Sequence, residues 1–266
     1  VMRYIIKLSY CGEAFHGWQI QPSAPSIQQA LETALRTLLR HDTAVTGAGR
    51  TDAGVNAVGY IAHFDAPEGL DTGHLVCKLN AILPDGIAVI SVRPASGEFH
   101  ARFDATRREY TYFLHRTKDP FVERFSYLYT YPGLDFEKMN RAAALLKGRH
   151  DFSCFEKTGT DVKTSICTVG EALWSPYTPV VSTFGIGTGG DGLYWEFRIS
   201  ADRFLRNMVR AVVGTLLEVG RGKRSKEDFA SLILTPETGR GRSSRRCAAG
   251  ESVPGHALFL SGVDYE

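Results

Sequence analysis

Met2-Arg3-Tyr4-Ile5-Ile6-Lys7-Leu8-Ser9-Tyr10 alternates with a period of two. Tyr4, Ile6, Leu8 and Tyr10 fall on one face and Arg3, Ile5, Lys7 and Ser9 on the other, the pattern of a strand with one side buried. A different period follows. Ser26 stands before Ile27, Ala30, Leu31, Ala34, Leu35 and Leu38, an apolar stripe at helical spacing. With Gln29 three residues on, Ser26 reads as the start of a capping box. Further along come a strand over 57–64, a helix opened by Asp71 and stopped before Pro84, and a strand over 87–92.

The second half has the same kinds of element. Residues 106–116 read as a strand with Tyr110 and Tyr112 on one face. A helix over 135–147 carries Met139, Ala142, Ala143 and Leu146, with Gly148 as its stop. Strands are expected over 166–174, 180–184 and 193–200. A long helix over 203–219 has the stripe Leu205, Met208, Val209, Val212, Val213, Leu216 and Leu217. A short helix starts at Ser225, and a strand over 258–263 closes the chain. Strands and helices mixed in both halves indicate an α+β protein of two similar lobes, each a mixed or antiparallel sheet flanked by helices. The division expected is 1–105 and 106–266. Segments 185–192 and 239–255 read as loops, the second flexible.

The totals fit a globular chain: 266 residues, 43% hydrophobic and 23% charged. No apolar run approaches the roughly 20 residues that span a bilayer. The start alternates too soon for a signal peptide, so a cytoplasmic protein is expected. Five cysteines at irregular spacing include no CxxC pair, which argues against a disulfide framework or a zinc knuckle. His150 and Cys154 stand four apart without a second pair, so no metal is expected. The net charge of +2 hides an asymmetry: residues 202–246 hold 11 Lys/Arg against 5 Asp/Glu, +6, which leaves −4 for the remainder. Such a basic region is the footprint of a polyanion, most simply nucleic acid. A solvated surface is the plainer alternative.

Gly47-Ala48-Gly49-Arg50-Thr51-Asp52-Ala53-Gly54-Val55 is the most pointed stretch. Three glycines and two alanines leave little bulk around one Arg, one Thr and one Asp, and glycine lets a partner approach the backbone closely. In an extended segment Arg50 and Asp52 point the same way. That suits a carboxylate kept ionised by a guanidinium and reachable by a bulky ligand. A surface turn with a chance Arg–Asp pair is the alternative. Three other segments stand out. Arg206 and Arg210 lie four apart on the expected long helix and would share a face. Tyr110 sits among basic residues in Arg107-Arg108-Glu109-Tyr110-Thr111-Tyr112, where it would be a core residue or would stack on a base. Phe99-His100-Ala101-Arg102-Phe103 is a similar mixture.

Together these segments resemble the TruA family of tRNA pseudouridine synthases. Residues 48–55 match its signature. Gly17-Trp18-Gln19, Phe99-His100-Ala101-Arg102, Arg108-Glu109-Tyr110-Thr111-Tyr112, His150-Asp151-Phe152, and Phe204-Leu205 with Met208-Val209-Arg210 follow in the family's order. The resemblance implies isomerisation of uridine to pseudouridine at positions 38, 39 and 40 of the tRNA anticodon arm, by a cytoplasmic homodimer without cofactor or metal. It puts Asp52 where the family has its catalytic aspartate, Tyr110 where a tyrosine packs on the target base, and Arg210 where an arginine pairs with the aspartate. Arg50, Arg206 and Arg102 join them as expected RNA contacts, and the active site is expected in a cleft between the lobes. The chain departs from the family's usual residues at Cys11, Asn56 and Ala257. Whether the aspartate attacks C1′ or assists proton abstraction from the ribose stays open. A tRNA-binding module without chemistry would explain the basic stretch and the aromatics, but not an acidic side chain in the most accessible glycine loop. A hydrolase has little support, since no GxSxG occurs.

Overall fold

The structure is a computed structural model that describes residues 1–157, 164–180, 182, 192–233, 235 and 249–265. In chain order its elements are β1 (Met2–Tyr10), α1 (Ile27–Leu39), β2 (Val45–Gly47), β3 (Asn56–Ala66), α2 (Thr72–Ile82), β4 (Ile87–Ala95) and β5 (Ala105–His115). They continue as β6 (Tyr127–Leu128), α3 (Phe136–Ala143), β7 (Gly148–Asp151), β8 (Ile166–Pro176), β9 (Tyr194–Ala201), α4 (Met208–Gly220), α5 (Lys226–Ala230) and β10 (Leu258–Tyr265). The α+β mixture read from the sequence is the architecture observed. The chain falls into two compact units, residues 1–108 with 259–266, and residues 109–258. The last strand thus belongs with the first unit, a return that a single cut in the chain does not express.

In the first unit the strand order is β4-β1-β3-β10, with β2 added to β3. β1 runs antiparallel to both β3 and β4, and β10 runs parallel to β3. The alternation of β1 is realised in part: Tyr4, Ile6, Leu8 and Tyr10 are buried on one face, and on the other Lys7 is exposed but Ile5 is buried too. Their register partners Phe64 and Tyr60 are buried with them, and Tyr4 stacks on Phe64 at 5.6 Å. α1 contributes Ile27, Leu31, Ala34 and Leu35 to the core, and α2 contributes Leu75 and Leu79. Both helices start where a side chain caps them. The Ser26 hydroxyl accepts from the Gln29 N–H at 3.3 Å and the Asp71 carboxylate from the His74 N–H at 2.9 Å.

In the second unit the order is β5-β9-β8-β7, with β6 parallel to β5. α4 is buried nearly all round, from Met208 to Gly220, as expected of a central helix whose sequence is apolar on every side. α3 packs against it through Met139, Ala142 and Ala143. Two expected boundaries move. The helix expected to reach residue 147 ends its α-helical part at Ala143 and tightens into a 3₁₀ turn over Ala144–Leu146, and Gly148 (φ 103°) opens β7. The helix expected from residue 203 begins only at Met208. Of the strand expected over 180–184, Val180 and Ser182 lie in a 3₁₀ turn and the rest lies outside the described residues, as do most of the 185–192 and 239–255 segments.

Candidate active site

Residues 48–55 form the connection between β2 and β3, which pair antiparallel from Val45↔Phe64 to Gly47↔Ala62. The first residue continues the ladder, Ala48 N–H donating to the Ile61 carbonyl at 2.9 Å. Beyond it the chain leaves the sheet, and its backbone groups find partners one by one. The Gly49 carbonyl accepts from the phenol of Tyr60. The Thr51 carbonyl accepts from the Trp18 N–H at 3.3 Å, and the Thr51 hydroxyl bonds that of Tyr10 at 2.9 Å. Gly54 N–H donates to the Phe15 carbonyl at 3.3 Å, and Val55 N–H turns back to the Asp52 carbonyl at 3.2 Å. The Asn56 carboxamide accepts from the Gly12 N–H at 2.8 Å, which ties the far end of the loop to the turn after β1.

An aromatic floor carries this loop. Trp18 stacks on Tyr60 with ring centroids 4.1 Å apart, and Tyr10 closes on Tyr60 at 5.5 Å. All three rings are buried. Two glycines are required for the fit. A Cβ on Gly47 would run into the Tyr60 hydroxyl and the Trp18 ring, and one on Gly17, whose φ is +89°, would meet the Thr51 carbonyl. Upon this base Thr51 is buried, Asp52 is half-buried, and Arg50 and Ala53 are exposed. The carboxylate therefore stands at the edge of a backbone that is fixed before and after it.

Among the described residues, Arg102 is linked to the same loop only through Arg108. The Arg108 guanidinium donates to the Ala48 carbonyl at 3.0 Å, to the Arg102 carbonyl at 2.6 Å and to the Ala105 carbonyl at 2.8 Å. Nearby, buried His63 accepts the Ala101 N–H on Nδ1 at 3.1 Å. Burial, helped by the charges of Arg3 and His100, pushes His63 down to about 4.

In the second unit the Tyr110 ring is half-buried and meets Phe204 edge-on at 5.1 Å. Its strand neighbour Tyr112 is fully buried, its phenol raised well above the ordinary value by burial and then by Tyr127, and it donates to the Pro254 carbonyl at 3.2 Å. Arg210, in the first turn of α4, donates from Nε to the Val253 carbonyl at 2.7 Å, and Val253 N–H returns to the Arg210 carbonyl at 3.2 Å. Asn207 adds a bond from its amide to the Ser252 hydroxyl at 2.6 Å. Segment 252–254 thus fixes both Arg210 and Tyr112.

Arg206 does not share a helical face with Arg210. It lies in the turn before α4, where Asn207 adopts φ 66° and ψ 2° and breaks the helical path. Asparagine tolerates this left-handed conformation better than most residues. Of the basic stretch 202–246, Lys223 and Arg224 pair with Glu218 at 3.2 and 3.0 Å, and Arg221 lies over the Tyr131 ring at 4.9 Å. Part of that positive charge is therefore spent on the protein itself, and residues 236–248 lie outside the described residues.

A family described as tRNA pseudouridine synthase matches residues 142–266. The chain is 50% identical over 266 residues to a protein of Bacteroides fragilis named tRNA pseudouridine synthase A, covering 100% of this chain and 97% of that one. It is 48% identical over 265 residues to the protein of that name from Bacteroides thetaiotaomicron, covering 100% and 91%. A Bacillus licheniformis protein of the same name is 41% identical over 268 residues, with both chains covered completely. The chain belongs to the tRNA pseudouridine synthase A family. Members of this family are isomerases that convert uridine to pseudouridine in tRNA. Tyr60 and segment 252–254 are supports that the sequence reading did not single out. The Asn56 side chain, at a position where the resemblance implied a different residue, accepts the Gly12 N–H. Among the described residues no helix is long and apolar enough to cross a membrane.

Proposed function

We propose that the chain isomerises uridines 38, 39 and 40 of the tRNA anticodon arm, with Asp52 as the essential group. The observation that carries this is the half-buried Asp52 carboxylate on a loop pinned at Ala48, Gly49, Thr51 and Gly54. Preorganised placement of the reacting group removes the reorganisation that a flexible loop would need at the moment of reaction.

The reaction breaks the N1–C1′ bond, turns the uracil, and joins C5 to C1′. The C5 proton leaves to water and N1 regains a proton, so atoms balance without oxidant, reductant or hydrolysis. The target base first leaves its stack at a cost of a few kcal/mol. Asp52 then acts at the ribose, either by attack on C1′ or by assisting proton abstraction. Arg210 contributes positive charge that favours an ionised carboxylate beside RNA phosphates. Tyr110 offers a ring to the uracil. Stacking is its role in this reading, since bases splayed from RNA commonly pack on aromatic side chains. Arg50, Arg102 and Arg206 contribute contacts to the RNA backbone, and the working form is a homodimer.

The test is release of tritium from tRNA carrying [5-³H]uridine. Release confined to transcripts that hold uridine at positions 38 to 40 supports the assignment. Tight binding without release would instead fit a module that binds the arm and does no chemistry.

A further inference from the structure

Phe103 is 74% exposed, unusual for so large an apolar ring. It is nonetheless fixed in place. Its ring stacks on His100 with centroids 4.2 Å apart and planes at 29°. His100 is itself locked, its Nδ1 accepting the N–H groups of Arg102 and Phe103, each at 3.2 Å. The His100 N–H donates to the Asp104 carboxylate at 2.7 Å, and the Asp104 N–H returns to the His100 carbonyl at 3.0 Å. The Arg102 guanidinium lies over the Phe103 ring, 5.7 Å from its centroid. A solvent-facing aromatic normally loses rotamer freedom only when something binds it. Here the protein has already restricted it.

The position of this ring is coupled to the candidate active site within the same unit. Arg108 holds the Arg102 carbonyl and the Ala48 carbonyl with one guanidinium, so the aromatic turn and the Asp52 loop share an anchor. An exposed ring with a cation held over it has two complementary features, a π-face and a positive charge. A nucleotide has the matching pair, a base and a phosphate.

We infer that Phe103, backed by His100 and with the Arg102 guanidinium over its ring, is a stacking platform for an unpaired nucleotide of the RNA substrate that neighbours the target uridine, the guanidinium moving to that nucleotide's phosphate as the base arrives. The inference rests on the reading of the chain as an enzyme that acts on the anticodon arm. Phe103 supplies the face for the base and Arg102 the charge for its phosphate, while His100 holds the ring and makes no contact with RNA.

The test measures affinity, so it does not depend on turnover. A fluorescently labelled anticodon-arm RNA is titrated with wild type, Phe103→Leu and Phe103→Tyr, and anisotropy is read. Loss of one base stack weakens binding by about tenfold, so Phe103→Leu should show a loss of that order and Phe103→Tyr should recover most of it. The titrations are repeated with arms that each carry an abasic ribose at one loop position. At one position wild type should lose the same factor and Phe103→Leu should lose nothing more. Unchanged affinity of Phe103→Leu for the intact arm would overturn the inference. An equal penalty on every abasic arm, or a change in sedimenting mass that marks the ring as a contact between copies of the chain, would also overturn it. Tritium release by the wild type is scored separately, so failure of the function and failure of the platform are told apart.

Discussion

Tyr60 donates its phenolic proton to the carbonyl of Gly49, and its ring lies stacked on Trp18 at 4.1 Å. The loop that carries Asp52 is thereby bonded to the strand that leaves it, over a floor of buried aromatics. Replacing Tyr60 by Phe keeps the stack and removes the donor. The Gly49 carbonyl then loses its partner at a partly buried site, a loss that costs about 1–3 kcal/mol. Urea unfolding of Tyr60→Phe should show a decrease in that range, together with a fall in turnover larger than any change in KM. Wild-type stability would mean that water replaces the phenol without penalty.

Asp52→Asn leaves the loop's backbone bonds and its aromatic floor in place. It should unfold like wild type. Pseudouridine formation should fall by a factor on the order of 10³ or more, the scale seen when an essential reacting group is removed. Affinity for the arm should be unchanged or stronger, because a carboxylate near phosphates repels them. A variant with normal tritium release would remove Asp52 from the mechanism.

Arg210 is oriented by its Nε bond to the Val253 carbonyl. The guanidinium is a planar fork, which a lysine ammonium cannot reproduce. Arg210→Ala and Arg210→Lys should therefore both lower turnover, by roughly 10²-fold for a lost electrostatic contact in a reacting site, with a smaller change in affinity. A phosphate contact would behave in the opposite way, with weaker binding, a shallower salt dependence and little change in turnover. Steady-state kinetics at two salt concentrations separate the two.

His63 gives stability a pH dependence of known sign. The folded protein holds it neutral down to about 4, whereas an unfolded chain takes up its proton near 6.5. Above 6.5 neither state is protonated and His63 contributes no slope. Between 6.5 and about 4 the unfolded state binds up to one more proton, so stability is lost as the pH is lowered, by up to about 1.4 kcal/mol per unit. Buried His115, also lowered by burial, adds in the same direction. Unfolding free energies at pH 7.5 and 5.0 should differ accordingly, and His63→Gln should reduce the difference. An unchanged difference in that variant would show that His63 titrates normally.

What the sequence revealed and what it concealed divide along physical lines. Ser26, Asp71 and Ser225 announced their helices because an N-cap is a bond within three residues. The Asp52 loop was legible from its lack of bulk. The start of α4 was not, because Leu205 continues the apolar stripe while a single residue, Asn207, turns the backbone left-handed. Arg206 was placed on the helix for that reason. The supports of the site were hidden by distance along the chain. Gly12–Asn56, Arg210–Val253 and Asn207–Ser252 join residues 43 to 45 apart, and only the paired strands and the packed helix bring them together. One signal was present. Gly17 precedes Trp18 after the first strand, and a glycine outside a regular element commonly marks a positive φ or a close backbone approach, both of which Gly17 shows.

Asn56 is 2% exposed and accepts the Gly12 N–H at 2.8 Å. Gly12 in turn sits so close to Val55 that any Cβ there would strike the Val55 carbonyl. The two ends of this contact are thus a hydrogen bond and a steric limit, and together they set the height of the loop's second half. Asn56→Ala removes the acceptor and leaves a buried N–H unpaired, at a cost of about 1–3 kcal/mol. Asn56→Asp keeps an acceptor but introduces a charge that burial penalises, so it should be stable at low pH and weaker at neutral pH. Both variants should show reduced turnover at unchanged RNA affinity, because Asp52 lies in the loop that this contact positions. Thermal unfolding as a function of pH, paired with anisotropy on the anticodon arm, checks each part. Normal turnover in a measurably destabilised Asn56→Ala would mean that the brace serves the fold and not the reaction.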